Sequence, residues 1–72
     1  MAERRTLETK RKIITLTRNR ETPAAIKLFH KFFTDENPAD VEFINSFFLE
    51  LNRLNLFEAG YKLLEESAHW HP

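Results

Sequence analysis

Apolar residues recur at helical spacing through the second half of the chain. Val41, Ile44, Phe48 and Leu51 define a stripe that Phe47 and Leu54 widen. Asn37-Pro38 precedes the stripe; Asn caps free backbone N–H groups, and Pro tolerates the first helical position because its missing N–H would be unpaired there. The pattern predicts a helix that begins at Asn37-Pro38 and ends near Asn55, which accepts a left-handed backbone conformation.

A second helix is predicted after Asn55. One face would carry Phe57, Gly60, Leu64 and Ser67, with Leu56, Leu63 and Trp70 beside it. The segment 69–72 would end this helix. Because a single short turn separates the two helices, they are expected to pack as an antiparallel hairpin over about residues 38–70.

The residue pattern in the first half of the chain predicts a second pair of helices. Residues 1–5 are expected to fray, and a helix with few apolar positions would run from Thr6 to Arg18 or Asn19. Thr22-Pro23 then repeats the cap-and-proline start, and the next helix would continue to about Thr34. Its wide apolar arc, which predicts neighbours on two sides, comprises Ala25, Ile26, Leu28, Phe29, Phe32 and Phe33.

We therefore predict one all-α domain of four helices in two antiparallel hairpins, at about residues 6–34 and 38–70. The second half resembles the tetratricopeptide repeat, whose pattern is W-x2-L-G-x2-Y, A-x3-F and a terminal Pro. The equivalent positions in residues 37–72 hold Ile44, Phe47, Phe48, Leu51, Gly60, Leu64 and Pro72. Residues 22–38 resemble a degenerate half-repeat through Ala25-x3-Phe29 and Asn37-Pro38. The preceding first-helix positions hold Thr9, Lys12, Ile13 and Leu16.

Phe48 departs from the family pattern, which usually has a small residue where the two helices approach closely. The facing position usually holds Ala and is Gly60 here. We expect the Phe48 ring to fill the space that Gly60 leaves open, because an interior Gly otherwise costs about 1 kcal/mol relative to Ala. The resemblance suits either repeat-like stacking or a compact four-helix bundle. The end at Pro72 coincides with a unit boundary and fits either a complete chain or part of a longer repeat array.

Composition narrows the class of protein further. The chain has 72 residues, seven Phe and no cysteine, so no disulfide or thiolate-bound metal can stabilise it. It contains no apolar run of about 18 residues and no apolar signal core. We therefore expect a cytoplasmic protein that does not enter membranes. Some of its apolar surface is expected to be covered by a second copy or a partner.

Charge is unevenly distributed along the chain. Residues 1–31 carry nine Lys or Arg and three Glu, giving +6, whereas residues 32–72 carry two and eight, giving −6. This layout favours antiparallel self-association or contact with an acidic partner. We expect a homodimer through the apolar arc of the second helix. Polyanion contact is the alternative for the basic residues Arg4, Arg5, Lys10, Arg11 and Lys12, although no aromatic residue is interleaved for base stacking.

The residues with catalytic or metal-binding chemistry form no convincing site. His69 and His71, with Glu65 or Glu66, are the only metal candidates, but His residues two apart face different sides of a helix. His30 lacks a neighbouring nucleophile or orienting group, so it is expected to be structural. We therefore expect no enzyme, metal or cofactor.

By the resemblance, the expected function is protein–protein interaction, as an adaptor, chaperone-like or assembly module that binds a peptide or helix. Asn45 and Asn52 are candidate contacts because family members commonly carry polar side chains near those positions. Further candidates are Phe48, Glu50 and an apolar patch formed by Phe32, Phe43 or Trp70. The alternative is a nucleic-acid-binding accessory protein that uses the basic N-terminal helix.

Overall fold

Two helical hairpins account for the part of the chain that the computed structural model describes, residues 2–71. The helices are α1 (Ala2–Arg18), α2 (Thr22–Phe32), α3 (Val41–Arg53) and α4 (Phe57–Ser67), followed by a 3₁₀ turn at Ala68–Trp70. α1 packs on α2 as hairpin one, and α3 packs on α4 as hairpin two. The predicted all-α class with two hairpins is confirmed.

The turn of hairpin one closes with a residue in the left-handed region. Arg20 has a φ of 64°. Its N–H donates to the Thr17 carbonyl at 3.1 Å, and the Glu21 N–H donates to the Leu16 carbonyl at 2.8 Å. This pair of bonds is the Schellman motif, which satisfies carbonyls that the end of a helix leaves unpaired.

Hairpin two repeats this turn bond for bond. Asn55 has a φ of 62°. Its N–H donates to Asn52 at 2.9 Å, and the Leu56 N–H donates to Leu51 at 2.9 Å. The next helix begins two residues after the left-handed residue in both hairpins. The predicted helix end at Asn55 is confirmed, and the two hairpins share one turn design.

Two predicted helix starts are displaced in hairpin one. α1 begins at Ala2, so the start predicted at Thr6 is four residues late. Apolar spacing misses these first turns because they are exposed, and Arg4 instead pairs with Glu8 at 3.6 Å. α2 begins at Thr22, with the Glu21 carbonyl accepting its first helical hydrogen bond. Thr22 is therefore the first residue of the helix, and not the N-cap that the sequence predicted.

The start predicted for α3 at Asn37 is wrong. Asn37 forms an antiparallel bridge with Thr34, in which each N–H donates to the other residue's carbonyl at 3.0–3.1 Å. Asp40 caps α3, and its carboxylate accepts from the Phe43 N–H at 3.2 Å. Ala39 is 1% exposed, whereas its neighbours Pro38 and Asp40 are exposed, so a single apolar side chain anchors this segment before the helix begins. α2 correspondingly ends at Phe32, two residues before the predicted Thr34.

Each hairpin has its own apolar core. Ile13, Ala25 and Phe29 are buried in hairpin one. The buried Thr17 hydroxyl donates to the Ile13 carbonyl at 2.9 Å, so its polar atom is satisfied. The most deeply buried apolar residues of hairpin two are Phe33, Ala39, Phe43, Ile44, Phe47, Leu51 and Leu63. None of the helices described between residues 2 and 71 has the length and apolar character that a membrane crossing requires.

Candidate functional site

Phe48 packs directly on Gly60 in hairpin two. A methyl group on Gly60 would lie 3.1 Å from ring carbons Cδ1 and Cε1 of Phe48, closer than ordinary van der Waals contact. Gly60 has no positive φ, so this position needs glycine for space and not for an unusual backbone conformation. The prediction that the Phe48 ring fills the space beside Gly60 is confirmed. The ring itself is only half-buried and lies 6.5 Å from the Tyr61 ring, centroid to centroid.

A largely exposed stripe, which we call the α3 face, runs along the third helix. At 3.6 residues per turn its members share an arc of about 80°, and they are Val41, Asn45, Leu49 and Asn52. Val41 is 50% exposed and Leu49 is 63% exposed. Phe48 lies at one edge of this stripe. Two apolar side chains thus alternate with two amides. Asn45 is exposed, whereas Asn52 is half-buried and its Oδ1 lies 3.6 Å from the position that a Gly60 methyl group would take.

Asn45, Phe48 and Asn52, the partner contacts expected from the sequence, lie close together along this face. Glu50 lies about 140° around the helix from Asn45. Its side chain is 14% exposed and its carboxylate lies 3.5 Å from the Arg53 guanidinium. Glu50 therefore stands apart from the α3 face. Leu49 was missed, although its position opposite the apolar stripe was readable from helical spacing.

The three residues predicted to form an apolar patch have different environments. Phe43 is 6% exposed and lies between Phe33 and Phe47, with ring centroids 5.5 and 6.1 Å away. Phe43 belongs to the core of hairpin two, because the side of α3 that carries it also faces Phe33 in the segment before α3. Phe32 is half-buried at the end of α2, and Trp70 is half-buried in the 3₁₀ turn.

Asp35 anchors the 3₁₀ turn after α4. Its Oδ1 accepts hydrogen bonds from Nε2 of His69 at 2.7 Å and from the Trp70 indole N–H at 2.9 Å. These bonds, first that of His69 and then that of Trp70, lower the pKa of the Asp35 carboxyl from its ordinary value. His71 Nε2 donates to the Ala39 carbonyl at 2.6 Å. We call this set of contacts the C-terminal clamp.

The C-terminal clamp includes both histidines that were considered as metal ligands, His69 and His71. His69 and His71 are engaged by Asp35 and by a backbone carbonyl. Among the side chains described in residues 4–71, no three His, Cys, Asp or Glu residues are grouped to hold an ion. His30 is exposed and its ring meets Phe29 edge-on at 5.8 Å, which suits a structural role. Pro72, the last position of the family resemblance, lies outside the described residues.

The basic residues of α1 are only partly collected on one face. Four of them, Arg4, Arg5, Arg11 and Lys12, are exposed and share an arc of about 120°. Glu8 lies within this arc and pairs with Arg4. Lys10 is half-buried and projects from another side of the helix. The predicted polyanion contacts thus form a mixed-charge face of four cations around one carboxylate.

Hairpin one also contains a shallow groove that was not expected from the sequence. It has a volume of about 350 Å³ and an apolar floor formed by Leu16, Ala24 and Leu28. Three lysines border it, namely Lys12, Lys27 and Lys31. The α2 members follow the i, i+3, i+4, i+7 spacing of one helix face, which was a readable signal. We call this feature the lysine groove.

The exposed side of α4 combines aromatic rings with carboxylates, in contrast to the lysines of the groove. Phe57 is 50% exposed and Tyr61 is 67% exposed. Glu58 and Glu65 are exposed beside them, and all four share an arc of about 100°. We call this stripe the α4 face.

No family model, curated protein or solved structure matches this chain. The described residues form two helical hairpins, with exposed apolar side chains on both helices of the second hairpin. The resemblance to tetratricopeptide repeats depends only on the spacing of residues in the sequence, in segment 37–72 and in the half-repeat at 22–38.

Proposed function

We propose that this protein is a protein–protein interaction module that binds a helix or peptide of another protein on the α3 face. The observation that carries this function is the exposure of Leu49 and Val41, at 63% and 50%, on one helix surface. Folding gains nothing from such exposure, whereas a partner would remove this apolar area from water. The spacing of these residues suits the apolar stripe of an amphipathic helix.

The amides on the same face supply specificity. Asn45 and Asn52 each carry a donor and an acceptor, so each can bond to the backbone of a bound segment. They lie on either side of Leu49 along the helix, and a partner must match both the apolar contact and the polar ones. The tetratricopeptide resemblance supports this role, because family members commonly present polar side chains near these positions on the helix that contacts ligands.

A peptide selection tests this function directly. Peptides selected on the wild-type protein are titrated by fluorescence anisotropy against the wild type, Leu49→Asp and Ser46→Asp. Ser46 is exposed on α3 but lies about 100° from Asn45, outside the α3 face. We expect Leu49→Asp to weaken binding at least about tenfold and Ser46→Asp to weaken it by less than about twofold. Equal binding by all three proteins would reject the α3 face as the binding surface.

A second candidate function is binding of a nucleic acid by α1. It is favoured by the four exposed cations on one side of that helix. Such binding weakens steeply with salt, since cations on the protein displace counterions from phosphates. Replacing Arg4, Arg5, Lys10, Arg11 and Lys12 with Gln would abolish it and leave peptide binding on the α3 face unchanged. Titration of a single-stranded oligonucleotide at two salt concentrations distinguishes the two functions.

A further inference from the structure

We propose that the lysine groove of one copy receives the α4 face of a second copy. This inference rests on the proposed function of protein interaction and names a second copy of the chain as one partner. It differs from that function in its surfaces, because the α3 face takes no part in the contact.

The lysine groove is built to accept an apolar group that is flanked by negative charge. Leu16 and Leu28 are half-buried and leave part of the apolar floor open to solvent. Lys12, Lys27 and Lys31 are exposed at its border. The groove thus offers apolar contact at its centre and three exposed lysines at its edge.

The α4 face has the matching composition. Phe57 and Tyr61 are its apolar members, one helical turn apart, and both are at least half exposed. Glu58 and Glu65 lie along one side of them. Aromatic side chains bring a large apolar area to an interface. In the proposed contact the two rings cover the floor of the groove while the carboxylates approach its lysines.

The charge distribution of the whole chain favours a second copy as the occupant. The segment that contains the groove carries +6 and the segment that contains the α4 face carries −6. Complementary fields of this kind accelerate encounter and oppose wrong orientations. A nucleic acid would satisfy the lysines but not the Leu and Ala floor, which has no aromatic ring for base stacking. An acidic, aromatic helix satisfies both, and each copy already carries one.

Because the groove and the α4 face are different surfaces, the contact is heterologous. Every copy presents both surfaces, which allows a charge-swap experiment. In Lys27→Glu/Lys31→Glu the groove border becomes acidic and faces an acidic α4 face. In Glu58→Lys/Glu65→Lys the α4 face becomes basic and faces a basic groove. Either variant alone should therefore repel itself, whereas a mixture restores opposite charges at every contact.

The measurement is sedimentation velocity across a wide concentration range at low salt. We expect the wild type to self-associate and each double variant to weaken association at least about 30-fold, since like charges at an interface are costly. The equimolar mixture should recover to within about threefold of the wild type. Added salt should weaken the wild-type association through screening. Circular dichroism verifies that each variant is folded.

Matched controls reverse the same number of charges elsewhere. Arg5→Glu/Arg11→Glu changes exposed cations outside the groove, and Glu36→Lys/Glu42→Lys changes exposed carboxylates outside the α4 face. Both should associate much more strongly than the groove and α4 variants. A monomeric wild type, double variants that associate normally, or a mixture that stays monomeric would overturn the inference. So would a groove that binds a single-stranded oligonucleotide in place of a second copy.

Failure of this inference can be separated from failure of the proposed function. Leu49→Asp should leave self-association intact because Leu49 is outside both surfaces. If the wild type is monomeric but its selected peptides still depend on Leu49, only self-association is excluded. If the charge swap behaves as expected but no peptide depends on Leu49, only the α3 face is excluded.

Discussion

The Phe48 ring and Gly60 are in such close contact that a methyl group on Gly60 would lie 3.1 Å from two ring carbons. This distance explains a glycine in the interior of α4, where the residue otherwise lowers helix stability. The large side chain of Phe48 on α3 thus fills the space that Gly60 on α4, which has no side chain, leaves open. The Phe48 ring also lies near the Tyr61 ring, where the α3 face borders the α4 face.

The first prediction concerns the energetic coupling of this pair. In the Phe48→Ala background, Gly60→Ala should stabilise the protein by about 1 kcal/mol, because only the gain in helix propensity remains. In the wild type the same change should have little net effect, since crowding against the ring offsets that gain. Urea unfolding followed by Trp70 fluorescence, within hairpin two, measures both values. A coupling energy near zero would show that the two residues act independently.

The second prediction concerns the left-handed residue that ends α1. Arg20 has a φ of 64°, a conformation that costs a residue with a side chain about 1–2 kcal/mol. Arg20→Gly should therefore raise the free energy of unfolding by roughly 0.5 kcal/mol, after the greater freedom of glycine in the unfolded chain is subtracted. Asn19→Gly, one residue earlier, is the control and should be neutral or destabilising. Thermal unfolding by circular dichroism compares the two, and equal effects would contradict this account.

The third prediction concerns the N-cap of α3. Asp40→Ala removes the carboxylate that accepts from the Phe43 N–H and should cost about 1 kcal/mol. Asp40→Asn should retain most of the stability, because its side-chain oxygen can accept the same bond. Asn37→Ala, at the start expected from sequence alone, should cost less than Asp40→Ala. Urea unfolding ranks the three variants, and a larger loss at Asn37 would reverse the assignment of the cap.

The fourth prediction concerns the pH dependence of the C-terminal clamp. The pKa of Asp35 is lowered in the folded state, so its carboxylate stabilises the fold above the ordinary pKa of 3.8. This contribution is lost as the pH falls through the lowered folded-state pKa. The stability difference between wild type and Asp35→Asn should thus be largest near neutral pH and shrink below pH 3.8. Unfolding followed by Trp70 fluorescence at several pH values measures this difference, and Glu36→Gln, which removes an exposed carboxylate outside the C-terminal clamp, serves as the control variant.

Parts of the candidate site were accessible from sequence and parts were not. The family resemblance selects Asn45 and Asn52, Phe48 is a further candidate, and helical periodicity alone puts all three on one side of α3. Phe43 was misassigned because periodicity does not reveal that Phe33 covers it from outside the helix. The role of Asp35 left no local signal, since its partners His69 and Trp70 lie more than thirty positions away.

What the sequence by itself determined is the local design of the chain. Apolar spacing and helix-ending residues specify two hairpins and the turn at Asn55, because these depend on neighbours within a few turns. The match between Phe48 and Gly60 was expected from the family resemblance. Only the tertiary structure decided that α3 begins after Asp40 and that Asp35 holds the C-terminal turn. Those outcomes depend on burial of Ala39 and on hydrogen bonds between distant segments, and neither leaves a periodic trace in the sequence.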